Sequence, residues 1–190
     1  MSENPVPDPI RAQGPALVTA GPPGARRLIV LDPAGEAKHD GLPPTWRPLT
    51  EDHHVVWCRM PAEGALREAT EAVTNRAEHR VDLVASGPFA GEALRLAAER
   101  PDHVRSVLLV DPAAEGVLSP GDATEADETW LAEHGTVVAQ LRDAGVDVDL
   151  LAHTTDDDRV PAPVPLGHPR VAEALCSALA NLPALHRPAL

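Results

Sequence analysis

VDLVASGPFAGEALRLAAERPDHVRSVLLVDPA, residues 81–113, is the stretch that decides how this chain folds. It opens on an apolar run (81–86) whose short length and β-branched content favour a strand. A helical stretch follows (88–100) and stops before Pro101, which disfavours helical geometry in the residue ahead of it. A second apolar run (104–110) then ends at Asp111-Pro112. Strand, helix and strand in so short a span make a parallel crossover unit.

The same alternation extends outward in both directions. Residues 27–32, 54–59 and 146–151 read as further buried strands, giving five. Helices are expected over 63–80, where Leu66, Ala69, Val73 and Ala77 recur at helical spacing, over 126–144 closed by Gly145, and over 169–182. Residues 15–20 could add an edge strand ahead of the turn at 21–24, and a short sixth strand could run through 164–166. The pattern specifies an α/β protein, a three-layer α/β/α sandwich around a mainly parallel sheet of five to six strands. One domain is expected over 15–182, with a flexible leader (1–14) and a loosely held tail (183–190). Ligand sites in such sheets form beyond the carboxyl ends of the strands, here 32–35, 59–61, 86–91, 111–114 and 153–160, with Gly167 and His168.

Composition narrows the partners. Only 2% of residues are aromatic, leaving few platforms for stacking bases, and a net charge of −13 repels nucleic acid and anionic membranes. The start of the chain shows no basic, apolar signal segment, and no run is long enough to span a bilayer, so a reducing cytoplasm is the expected compartment. Cys58 and Cys176 are isolated thiols without metal-ligand spacing. Neither His53-His54 with Cys58 nor the acidic run 156–158 carries a ligand pattern, and no metal is expected. With neither a dinucleotide fingerprint nor a phosphate loop, no cofactor is expected either.

Residues 81–113 resemble the central segment of the α/β-hydrolase family, in which a strand enters a sharp Gly-His-Ser-x-Gly-Gly turn before a helix. Counting forward from Val81 and backward from Pro101 gives one gapless register. In it Ala85 stands at the first glycine, Ser86 at the histidine and Gly87 at the nucleophile. Glycine tolerates the strained turn cheaply but has no attacking atom. Ser86 lies one residue earlier, on a strand whose successive side chains alternate faces, and is expected to aim away from the site. Phe89 replaces a small residue and is expected to crowd helix against strand.

The resemblance also implies an oxyanion region at Asp32, Pro33 and Ala34, with Pro88 after the turn. Pro33 has no N–H to donate, and Asp32 brings a negative charge toward a developing oxyanion. Asp158 looks like the family's acid and His168 like its histidine, ahead of the last helix, with Asp111 an alternative acid. The blander reading makes 156–158 a solvated loop and His168 a helix cap. Only residues 113–125 remain as a lid after the strand ending at Val110. The expectation is therefore a hydrolase-like protein without ordinary serine chemistry, binding a small acyl or ester ligand or a protein partner at an open site. The alternative is an ester or thioester hydrolase built on Ser86, His168 and Asp158.

Overall fold

The computed structural model describes residues 13–37, 41–75, 79–117 and 119–182. The expected tail, and the expected leader apart from Gln13 and Gly14, lie outside the described residues.

Six strands form one sheet: β1 (Leu17–Ala20), β2 (Arg26–Asp32), β3 (His53–Arg59), β4 (Val81–Ser86), β5 (Val104–Val110) and β6 (Asp147–Ala152). Their order is β1-β3-β2-β4-β5-β6, and every neighbouring pair is parallel except β1 with β3. The helices are α1 (Leu49–Asp52), α2 (Ala65–Thr74), α3 (Ala90–Glu99), α4 (Ala123–Glu133), α5 (Gly135–Asp143) and α6 (Pro169–Asn181).

The central strands read as unbroken apolar runs because both of their faces are covered. Ile29, Leu83 and Leu109 pack with Ala69 and Val73 of α2, Leu94 of α3 and Leu141 of α5. Leu28, Val30, Val84 and Leu108 point the other way, toward Trp46 and Leu175 of α6. Each wholly buried leucine contributes about 2 kcal/mol through lost water contact. The result is the three-layer α/β/α arrangement expected from the sequence. Near the amino end of β4, Asp82 is fully buried and held by Arg105 Nε at 2.8 Å, Arg105 Nη2 at 2.7 Å and Ser106 Oγ at 2.7 Å.

Three local expectations change. The sixth strand is β1 at the edge; residues 164–166 form no strand and belong to a loop. The helix expected over 126–144 is two helices, broken at His134, whose ring stacks on Trp130 at 3.8 Å and whose Nδ1 contacts the Trp130 carbonyl at 2.8 Å. Phe89 does not wedge strand from helix. It lies half-buried against the core, after a single 3-10 turn at Gly87–Phe89.

Chain direction reverses its sideways progress around β2. The step to β3 moves toward one edge, whereas the next crossover carries the chain past β2 to β4. The carboxyl ends of β2 and β4 thus frame the crevice where doubly wound sheets hold ligands. Among the described residues no helix is long and apolar enough to cross a membrane.

Candidate functional site

Asp32 and Ser86 occupy the last positions of β2 and β4. The strands are parallel with Leu31 beside Ala85, so the next pair stands side by side and faces the same way. Both side chains line a cleft of about 310 Å³, with Pro33, Ala34 and Glu36 from the β2 loop and residues 160–166 as a roof. Ser86 therefore does not aim away from the crevice. Its hydroxyl has no hydrogen-bond partner in the protein among the described residues.

The roof is pinned from two sides. Trp46 Nε1 donates to the Leu166 carbonyl at 2.8 Å, and the Thr45 hydroxyl donates to the Gly167 carbonyl at 2.9 Å. From below, the Asp111 carboxylate accepts from Val164 N at 2.6 Å, Thr154 N at 2.7 Å and Thr154 Oγ1 at 2.6 Å. Asp111 is fully buried and committed to joining β5, β6 and this loop. The cover over the crevice comes from these residues, whereas 113–116 turn beside Gly87 and 123–133 form α4.

Gly87 has φ of +53°, a conformation glycine adopts without steric penalty. A β-carbon there would sit 3.1 Å from Pro163 Cγ and 3.8 Å from Ala114 Cβ. The position thus lacks a hydroxyl, and a side chain there would fit tightly, with Pro163 having to give by a few tenths of an ångström. Pro88, exposed and next in sequence, has no N–H to turn toward an oxyanion.

On the β2 side the remaining donors are already occupied. The Asp32 carboxylate accepts from Ala34 N at 2.8 Å, from Glu36 N in a very short contact, and from Trp57 Nε1 at 2.8 Å. A resident carboxylate thereby takes the amides that an incoming oxyanion would need. Burial pushes the Asp32 carboxyl up, against the pull of the Trp57 indole and of the Glu36, Ala34 and Gly35 amides. Glu36 is also pushed up, by burial and by the charge of Asp32, while its carboxylate accepts from Gly167 N at 3.1 Å.

His168 and Asp158 come near each other without sharing a hydrogen bond. Their closest approach, Nε2 to Oδ1, is 3.8 Å, too long for a hydrogen bond. Asp158 instead accepts from Thr155 N at 2.7 Å, Thr155 Oγ1 at 3.0 Å and Arg170 Nη2 at 2.6 Å. His168 is the N-cap of α6, its Nδ1 accepting from Arg170 N at 3.2 Å. An accepting Nδ1 leaves the proton on Nε2, the nitrogen facing Asp158. Serine catalysis needs the reverse, with Nδ1–H on the acid and Nε2 free to take a proton. Ser86 and His168 share no hydrogen bond.

No protein-family model matches the chain, and neither does any curated protein. Partial likeness exists among solved structures. Lipase B of Aspergillus fumigatus aligns with 54% of this chain and 29% of its own, at 14% identity and a TM-score of 0.39. A probable hydrolytic enzyme of Pseudomonas aeruginosa aligns over 52% and 37%, at 16% identity and a TM-score of 0.37. A protein of Bacillus subtilis described as a hydrolase aligns over 90% and 59%, at 11% identity and a TM-score of 0.41. The chain spans less than two thirds of the length of each. Likeness this distant says nothing of activity.

Glu36 has no signal in the sequence. The β2 loop carries it to the cleft, and Gly167, 131 positions away, folds back onto its carboxylate.

Proposed function

We propose that this chain is a hydrolase-like α/β protein that binds a small ligand in the cleft at the ends of β2 and β4, without cleaving esters by serine chemistry. One observation carries the reading: Gly87 takes the left-handed turn after β4 beneath Pro163, so the elbow position has no attacking atom. The bonds around Asp32 and His168 support it, since neither the oxyanion donors nor the imidazole are available for acyl transfer.

The cleft also suggests what binds. Proline, valine, leucine and alanine side chains supply apolar walls, with the Ser86 hydroxyl as a polar handle. Its volume is at the small end of the ligand-site range, which suits a short acyl chain better than a protein segment. Asp32 and Glu36 repel an anionic ligand, so a neutral ester, amide or lactone fits better than a free carboxylate.

Purified protein would be offered short-chain nitrophenyl esters and a serine-reactive fluorophosphonate probe, beside Ser86→Ala and His168→Ala. Neither turnover nor labelling is expected. Turnover lost in Ser86→Ala would overturn the proposal in favour of a hydrolase using Ser86, and turnover lost only in His168→Ala would overturn it in favour of one in which the histidine activates water. Binding would be read as a rise in melting temperature with short alkyl amides over matching alkanoates, abolished by Ala34→Leu, which fills the cleft. Equal shifts in that variant would show that the cleft is not the binding site.

A further inference from the structure

Asp111 leaves the end of β5, His153 follows the end of β6, and Asp127 comes from α4. One ligand atom from each lies within 4.8 Å of the others. None of the three lines the β2–β4 cleft. We infer that Asp111, Asp127 and His153 form a binding site for one divalent transition-metal cation, with Zn²⁺ the best match to a donor set of one imidazole nitrogen and two carboxylate oxygens.

Charge balance is the first argument. Asp111 and Asp127 are both fully buried, and the imidazole is the only other ionisable group in the trio. Two carboxylates with a neutral imidazole hold a charge of −2 that a divalent cation cancels, whereas an imidazolium cancels half of it. Buried like charges this close repel strongly unless a cation joins them.

Orientation is the second. Ala113 N donates to Asp127 Oδ1 at 2.8 Å, and the Thr154 and Val164 amides hold Asp111. Such outer partners fix metal-binding carboxylates; Asp111 Oδ2 already takes two hydrogen bonds, whereas Asp111 Oδ1 accepts one and keeps a lone pair for the ion. His153 Nδ1 touches Asp127 Oδ2 at 2.6 Å, the closest contact of the trio. Adjacent corners of a zinc tetrahedron are about 3.3 Å apart, so a small rotation of the ring admits the ion. Access is available because the His153 side chain is 25% exposed while Asp127 behind it is fully covered. Three protein ligands leave one position for water.

Untagged protein, stripped with chelator, would be titrated with Zn²⁺ by calorimetry and followed by thermal melting, and Co²⁺ would be added as a spectroscopic probe. One equivalent is expected to bind, to raise the melting temperature by several degrees and to give visible Co²⁺ bands of a four-coordinate site. His153→Gln retains a side-chain donor for Asp127 and keeps the fold, and with Asp127→Asn it should weaken binding at least tenfold. His54→Ala, on the far strand, should leave it unchanged. Absence of heat and thermal shift at millimolar Zn²⁺ would overturn the inference. So would equal binding in His153→Gln and Asp127→Asn, which would put the ion elsewhere. Circular dichroism of each variant separates lost ligands from lost fold.

Discussion

Pro163 stands over Gly87, its Cγ 3.1 Å from the point that a β-carbon on that residue would occupy. Placing a side chain at Gly87 therefore strains the turn and presses on the roof. Gly87→Ser should be destabilising, with the positive φ alone costing about 1–2 kcal/mol, and should gain no esterase activity. Chemical denaturation measures the first and nitrophenyl ester turnover the second. Adding Pro163→Ala should recover only part of the stability, because the backbone strain persists.

Asp82 and Arg105 form a two-pronged ion pair inside the sheet, with 0% and 5% of their side chains exposed. Removing one partner strands a buried charge. Arg105→Met should cost about 3–5 kcal/mol. The double variant Asp82→Leu/Arg105→Met should cost much less than the sum of the singles, since no lone charge remains. Urea unfolding of the three variants gives the coupling.

Glu36 titrates above its usual range in the folded chain because burial and the neighbouring Asp32 both oppose its charge. The folded state thus holds this proton more tightly than the unfolded one. Stability from this group is greatest below the unfolded carboxyl range, about 4.3, and falls as pH rises through the raised folded value. Glu36→Gln keeps an acceptor for Gly167 N and has no such loss. Its stability relative to the parent should climb with pH across that window and then level off. Denaturation at a series of pH values tests the sign.

Trp46 ties the roof to the core through a buried hydrogen bond to Leu166. Trp46→Phe leaves the Leu166 carbonyl without its donor and should cost about 1–3 kcal/mol. Faster amide exchange is expected at Val164, Leu166 and Gly167, with β5 unchanged. Uniform acceleration throughout the sheet would show instead that the tryptophan supports the core as a whole.

The order of strands and helices was legible because each central strand is apolar on both faces and α2, α3 and α6 each bury one apolar face. Those patterns survive any packing detail. The split at His134 was not, since 126–144 shows continuous helical character and the ring stacks on Trp130 only once the turn has formed. At the site, the placement of Gly87 in the sharp turn after β4 could be read from the register with its two flanks. The direction of Ser86 could not: alternation along β4 says little about the crevice until the neighbouring end of β2 is placed beside it. The contacts of Asp127 with His153 and of Glu36 with Gly167 join residues 26 and 131 positions apart, and only the folded layers bring them together.

Cys58 lies in β3 with none of its surface exposed, and burial pushes its thiol up to about 12. Cys176 sits half-covered on α6. The native molecule thus offers alkylating reagents one slow handle and withholds the other. Modification of the second sulfur becomes a clock for global opening, readable by mass without introducing any label.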